Sequence, residues 1–330
     1  MKPGILYATT DDGATLPIID VTHPAFAVSV SEDELANQTA QFVADAPKRA
    51  NMPPEIIEAL KRSKLGSGLM SATGSFLTGL NTYLFKLGPT QFGEDEYMDR
   101  AIAASLPALA IRVRLQDMAR FLSDGLATIL PGDARRPIAF INIAGGPASD
   151  VWNALIHLQN AHPHLLSGRE IHINVLDLDS QGPSFGRRAL ETLCGTEAPL
   201  CGLKIQHQHL SYNWSQTERL PEILSTLGAN QSACAISSEG GLFEYGSDEQ
   251  IIANLLQIHA GTPPDAFITG TVTRDSDVIQ AAHGNSTIKV RPRTLESFRK
   301  LAEAGGWSIQ QVIERPMSYN LSMVKTEAKR

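Results

Sequence analysis

Two rhythms of apolar and polar positions divide this chain near residue 130. Before it, residues 1–50 show little periodicity and carry turn signals such as Asp11-Asp12-Gly13 and His23-Pro24. Helical spacing begins at Pro53-Pro54, where proline suits a helix N-terminus, and predicts a helix to about Leu65. A Gly/Ser-rich stretch from Gly66 to Gly79 follows, compatible with a close-packed helix or with a mobile lid. From Glu94 to Ile129 the pattern is helical again: Leu115, Met118, Leu122 and Leu126 recur on one face, and Pro107 predicts a kink. Pro131-Gly132-Asp133 closes this half, which sets a boundary between a helical region, 1–130, expected to act as a lid or cap over a ligand, and a second region, 131–330.

Beyond the boundary, short continuous apolar runs alternate with helical stretches. Ile138–Ala144, Ile171–Leu176, Leu203–Gln208, Ala233–Ile236 and Ala266–Val272 read as strands. Helices are predicted from Ser149 or Asp150, through Arg187–Leu193, near Thr217–Leu227, over Asp248–His259, and from a Thr294 cap to Ala304. Trp307–Glu314 and Tyr319–Val324, joined at Arg315-Pro316-Met317, read as a terminal hairpin. Parallel strands need crossover connections, so the first five strands predict a doubly wound α/β sheet. The hairpin adds two strands, one of them antiparallel, to make seven.

Composition narrows the function classes. The chain has 330 residues, 42% of them hydrophobic and 19% charged, with a net charge of −7. An acidic balance offers no global attraction to nucleic acid or to an anionic membrane. Neither a signal-peptide core at the N-terminus nor a span of ~20 apolar residues is present, so a cytoplasmic setting is expected. Cys194, Cys201 and Cys234 are too few and too irregularly spaced for a disulfide framework or a zinc site, and Cys234 reads as a core thiol. The expected partner is a small-molecule substrate, and a homodimer is compatible with the sequence.

Candidate chemistry gathers at the carboxyl ends of the strands, where open α/β sheets bind ligands. After the first strand, Asn142-Ile143-Ala144-Gly145-Gly146-Pro147-Ala148 is a run of small residues leading into a helix, which lets a ligand approach the backbone. The second strand ends in Asp177-Leu178-Asp179. A carboxylate there can accept both ribose hydroxyls of a nucleoside, while Asp179 better suits a cap for the following helix. The distance from Gly145 to Asp177 exceeds the usual ~20 residues, the extra length falling in the His162-Pro163-His164 loop. The third strand runs into His207-Gln208-His209-Leu210-Ser211-Tyr212-Asn213. His207 and His209 share a face, but no third ligand suggests itself and no metal is expected. The fourth leads to Ser238-Glu239-Gly240-Gly241-Leu242-Phe243-Glu244-Tyr245.

The five strand–helix units, the closing hairpin and these strand ends resemble the class I S-adenosylmethionine-dependent methyltransferases over about the last 200 residues. In that resemblance Asn142 stands where the glycine motif normally has an acid, and Ala144 and Ala148 replace its outer glycines. It implies S-adenosylmethionine as cofactor, held by Asn142, Ala144, Gly145, Gly146, Asp177 and Asp179, with Leu210, Ser211 and Ser238 as further cofactor-binding candidates, Ser211 at the adenine edge. Tyr212 and Asn213 are further adenine candidates. The Glu239-to-Tyr245 stretch is similar to the Glu-Gly-x-x-x-Tyr of the leucine carboxyl methyltransferase-like group, with one additional residue before the tyrosine. That group has an Arg-rich helix ending in Asp, echoed here by Arg112-Val113-Arg114-Leu115-Gln116-Asp117, where an arginine binds the methionine carboxylate.

A guanidinium suits that task by its paired donors, and residues two apart diverge by ~200° around a helix, so one of Arg112 and Arg114 is expected to serve and the other not. Methyl transfer from a sulfonium is an in-line displacement that mainly needs positioning. Glu239, Tyr245, His209 and His283 are the candidates for base or acceptor contact. The expectation is methyl transfer to a small-molecule acceptor, at oxygen. The rivals are a nicotinamide-dependent oxidoreductase using the same turn and a catalytically silent binding protein of the same fold.

Overall fold

In the computed structural model the described residues are 2, 4–70, 77–133, 135–283 and 289–326. Seven strands form the main sheet: β3 (Ile138–Ile143), β4 (Glu170–Leu176), β5 (Lys204–Leu210), β6 (Ala233–Ser238), β7 (Phe267–Thr273), β8 (Trp307–Glu314) and β9 (Ser318–Lys325). Their spatial order is β5-β4-β3-β6-β7-β9-β8. The neighbours from β5 to β7 are parallel, and β9 runs antiparallel to both β7 and β8. This is the doubly wound seven-stranded sheet with a terminal antiparallel hairpin that the apolar pattern predicts.

Why the central strands read as continuous apolar runs is plain from their two faces. Every residue of β3 is buried. Ile138 and Phe140 point into one core with Ile171, Ile173 and Val175, whereas Ile141 and Ile143 point into the other with Leu176, Ile236 and Ile268. Each such side chain contributes roughly 1.5–3 kcal/mol of burial free energy. The first core is shared with the chain before residue 130: Ile18, Ile19, Leu65, Tyr83 and Phe85 pack there with Leu115, Leu122 and Leu126 of the helix Leu106–Ile129. Cys234 lies in the second core as a buried free thiol, as its apolar setting suggests.

Several local elements differ from the sequence pattern. Residues 1–50 contain the short antiparallel pair β1 (Tyr7–Thr9) and β2 (Thr15–Pro17), and a helix, Glu32–Ala44, capped by Ser31. Pro107 does not kink a helix. One helix, Tyr97–Ala104, ends before Ser105, and Pro107 lies in the first turn of the next, Leu106–Ile129. There its missing N–H has no intrahelical partner to lose. Gly66 to Met70 complete a helix starting at Lys64, residues 71–76 of the Gly/Ser-rich stretch lie outside the described residues, and Gly79 opens the helix Gly79–Lys86. The glycine-rich segment after β6 carries a short helix, Leu242–Tyr245, and the loop before Thr294 carries another, Asp277–His283.

One clamp joins the two halves of the chain. Arg315, in the β8–β9 turn, donates to both oxygens of Asp117 at 2.8 and 2.9 Å, and Asn320 of β9 donates to the same carboxylate at 2.8 Å. Asp117 of the long helix is buried.

Candidate functional site

The turn after β3 has the backbone geometry that its small residues allow. Ala144, Gly146 and Ala148 all have positive φ, at 55°, 58° and 59°. Ala144 donates its N–H to Leu176 O at 2.8 Å, tying the turn to the end of β4. Glycines of three segments approach it closely, Gly186 among them, where a Cβ would stand 2.3 Å from Pro147 O. A Cβ on Gly79 would stand 2.4 Å from Gly146 Cα, one on Gly182 2.9 Å from the same atom, and one on Gly241 2.9 Å from Ala144 Cβ. The turn is therefore walled by backbone from the N-terminal segment, from the helix Gln181–Leu193 and from the loop after β6.

Asp177, directly after β4, faces this turn. Its Oδ2 accepts the Gly146 N–H at 3.0 Å, and its Oδ1 accepts the Asp179 N–H at 2.9 Å. Burial raises its carboxyl above the usual range, against the pull of these two N–H groups. Asp179 accepts from Gln181 and Gly182 N–H, both at 3.2 Å, and so caps the following helix. His209 Nε2 lies 2.9 Å from the Asp177 carbonyl, and the Asp177 N–H donates to Leu210 O. Of the other residues at this edge, Ser211 is exposed, Tyr212 donates to Asn254 in the core at 2.6 Å, and Asn213 accepts from the Ser215 N–H.

Beneath the turn, Asn142 Nδ2 donates to Ser237 Oγ at 2.8 Å and to Asp150 at 3.1 Å. Its Oδ1 is buried without a partner and lies 2.2 Å from where a Cβ on Gly145 would stand. An unbranched Gly145 is thus required by Asn142 as much as by any ligand. Asp150 is fully buried. Burial, followed by the charge of Glu239, raises its carboxyl to about 6.

At the end of β6 lies a buried cluster of two cations and two carboxylates. Lys86 Nζ donates to Glu239 Oε2 at 2.5 Å and to Ser149 Oγ at 2.9 Å. Arg114 Nε donates to Glu239 Oε1 at 2.9 Å, and its Nη1 to Glu244 Oε1 at 2.8 Å, where Thr271 Oγ1 also donates. The side chains of Lys86 and Glu239 are only 2% and 1% exposed. Burial by itself would raise the Glu239 carboxyl, but the charges of Lys86 and Arg114 outweigh it and hold the group below its ordinary range. Burial opposes the Arg114 charge in turn, and Glu244 and Glu239 more than restore it. Burial, helped by Glu244, pushes the Tyr245 hydroxyl up, so that group stays protonated.

The sequence-predicted site residues thus fall into two groups at the carboxyl edge of the sheet. Asn142, Ala144, Gly145, Gly146, Asp177, Asp179, His209 and Leu210 share the β3–β4–β5 end, whereas Arg114, Glu239 and Tyr245 share the β6 end. Ser238 sits between them, donating to Ile143 O and accepting the Leu242 N–H. Arg112 does not join either group: it is half-buried and donates to Ala103 O at 2.5 Å. The side chain of His283 lies outside the described residues. Sequence reading missed Lys86, and it noted Ser149, Asp150 and Gly79 only as parts of the stretches that carry them. Lys86 had a signal of the kind that singled out Arg112 and Arg114, a lone cation in the apolar run Tyr83-Leu84-Phe85-Lys86-Leu87. Among the described residues no three His, Cys, Asp or Glu side chains gather as a metal site, and no helix is long and apolar enough to cross a membrane.

No protein-family model matches the chain, and no curated protein matches it. Among solved structures it is similar to a possible exported protein of Bordetella parapertussis, with a TM-score of 0.56 at 16% identity over 91% of this chain and 100% of that one. It is also similar to a DUF574 family protein of Streptomyces avermitilis, with a TM-score of 0.49 at 11% identity over 74% of this chain and 97% of that one. A third is the 1,6-didemethyltoxoflavin-N1-methyltransferase of Burkholderia thailandensis, crystallised with S-adenosylhomocysteine, with a TM-score of 0.42 at 15% identity over 65% of this chain and 79% of that one. At these identities the likeness is one of fold.

Proposed function

We propose that the protein transfers a methyl group from S-adenosylmethionine to a small-molecule acceptor, at oxygen. The observation that carries this reading is the pairing of the positive-φ Ala144–Ala148 turn with the Asp177 carboxylate in a sheet of this order. The residues suit the nucleoside end of the cofactor. Each Asp177 oxygen engages one N–H and keeps a further lone pair for a ribose hydroxyl. The amino-acid end is less simply served. The Nε and Nη1 donors of Arg114 are engaged by Glu239 and Glu244, and Arg112 is turned to a backbone carbonyl. In our reading Arg114 acts as the counter-charge of Glu239 and Glu244, in place of the carboxylate clamp that the sequence suggests.

The cofactor, when bound, supplies an electrophilic methyl on sulfonium sulfur. The chain's own part is to bind, orient and exclude water. Glu239 is a weak base, because two cations stabilise its ionised form, and Tyr245 keeps its proton. An acceptor that reaches the site already ionised, such as a carboxylate or an acidic phenol, fits these groups best. Residues 1–130 belong to the site in this reading, as a cap that brings Lys86 and Arg114 to Glu239.

A second reading, a silent binder of the same fold, is favoured by the Gly79–Gly146 contact and the mutual neutralisation of Lys86, Arg114, Glu239 and Glu244. Calorimetry with S-adenosylmethionine, S-adenosylhomocysteine and NAD separates the readings. Binding of both adenosyl ligands and not NAD is expected, and binding of NAD alone would overturn the proposal. Tight adenosyl binding without methylation of any of a panel of carboxylates and phenols would favour the silent binder.

A further inference from the structure

The helix Gly79–Lys86 touches the proposed cofactor site at both of its ends. At its start, Gly79 lies backbone to backbone on Gly146, close enough that a methyl group on either would collide with the other residue's Cα. Its last residue, Lys86, spans Glu239 after β6 and Ser149 at the start of the helix that follows the turn. Between these points Tyr83 is fully buried, donating to Pro17 O at 2.8 Å and accepting the Ile19 N–H at 2.9 Å. The helix is thus fastened to the turn by a contact without side chains and to the strand ends by one buried ion pair.

We propose that Lys86 and Glu239 are a latch that holds the helix Gly79–Lys86 over the Ala144–Ala148 turn, so that an adenosyl ligand enters when this pair parts and is retained when it re-forms. The proposal rests on the cofactor reading above, and names Lys86 as a positioning residue for that site. The Gly79 contact fixes the helix sterically but contributes no charge, while a buried lysine stripped of its carboxylate is a strongly unfavourable state. Opening therefore requires Lys86 to regain water or another partner, while Glu239 keeps Arg114. That favours a helix that is either seated or lifted, with little in between.

The test is hydrogen exchange of the full chain, read by mass spectrometry on peptides covering 79–86, in the wild type, Lys86→Met and Lys86→Arg. Without ligand, the Lys86→Met helix is expected to exchange about tenfold faster or more, the scale of a lost charged hydrogen bond, with β3 and β4 still protected. Lys86→Arg, which keeps a cation within reach of Glu239, should recover most of the protection. Exchange that rises equally in β3 and β4 would make Lys86 a general structural residue and overturn the latch, as would unchanged exchange in 79–86. If Lys86→Met does not fold, Ser149→Ala, which removes one of the two Lys86 contacts, is measured in its place and a local rise of smaller size is expected. In a second arm, saturating S-adenosylhomocysteine should slow exchange of 79–86 in the wild type, and its release in stopped-flow chase should be faster from Lys86→Met than from the wild type. Release at the wild-type rate from Lys86→Met would overturn the latch. Failure of the ligand to bind the wild type at all would overturn the cofactor reading, while the ligand-free arm still decides whether the helix is latched.

Discussion

Replacing Gly79 by alanine adds one methyl group at a place where the chain has no room for it. The new Cβ would lie 2.4 Å from Gly146 Cα and 3.4 Å from Gly146 N, whereas carbon atoms in contact settle at about 3.5–4.0 Å. Both sides of the contact are backbone, so no rotamer change relieves it, and the helix or the turn must move by roughly 1 Å. Overpacking of this kind costs about 1–3 kcal/mol. Alanine recovers ~1 kcal/mol by restricting the unfolded chain, which leaves a net loss of about 0–2 kcal/mol. Gly88→Ala is the matched control: its φ is −72° and nothing stands within 4 Å of the added methyl. It should be neutral or stabilising by ~0.4–1 kcal/mol. Urea denaturation of the three proteins, compared at equal m-values, measures the difference. A Gly79→Ala midpoint above that of the wild type, with Gly88→Ala behaving as expected, would refute the idea that the two backbones are in contact.

Asp177→Ala should weaken S-adenosylmethionine binding by about 1–3 kcal/mol in calorimetry, with Asp179→Ala nearly silent; the reverse order would move the ribose contact to Asp179. Arg114→Met leaves Glu239 and Glu244 short of a buried counter-charge and should cost about 3–5 kcal/mol of stability by denaturant titration. Arg112→Met, from a half-buried site with one carbonyl partner, should cost far less, and equal losses would count against the cluster. Asp150, raised by burial and by Glu239 to about 6, holds its proton more tightly folded than unfolded. The stability this contributes is full below about pH 4 and lost as pH rises through about 6. Asp150→Asn, neutral throughout, should gain up to about 3 kcal/mol over wild type near pH 8 and lose that gain below about pH 4; a pH-independent difference between the two would contradict the raised carboxyl.

The sheet was legible because parallel strands buried on both faces leave unbroken apolar runs, as in Ile138–Ile143, and because a closing hairpin has its own signature. The N-terminal elements were not. β1 and β2 are three residues each, too short to show a period, and Glu32–Ala44 buries only Leu35. Pro107 carries the same local signal whether it bends a helix or opens one, and Ser105 in extended conformation decides for the second. The cofactor-side candidates share one end of the sheet because strand order alone puts them there. How Arg114 is used depends on Lys86, Glu239 and Glu244 meeting across separations of 125 to 153 residues. No local pattern encodes such a meeting.

The Asp117 clamp also bears on the order in which the molecule is assembled. Its two partners arrive 198 and 203 residues later in the chain, and β9, which must slot between β7 and β8, is the last of the seven strands to be synthesised. Until then β7 has an unpaired edge, and the long helix holds a carboxylate without its clamp. Such an edge is a template for wrong pairing. Contacts this distant in sequence also slow closure. The edge of β7 and the carboxylate of Asp117 are therefore both completed by the last elements of the sheet to be made, the β8–β9 turn and β9.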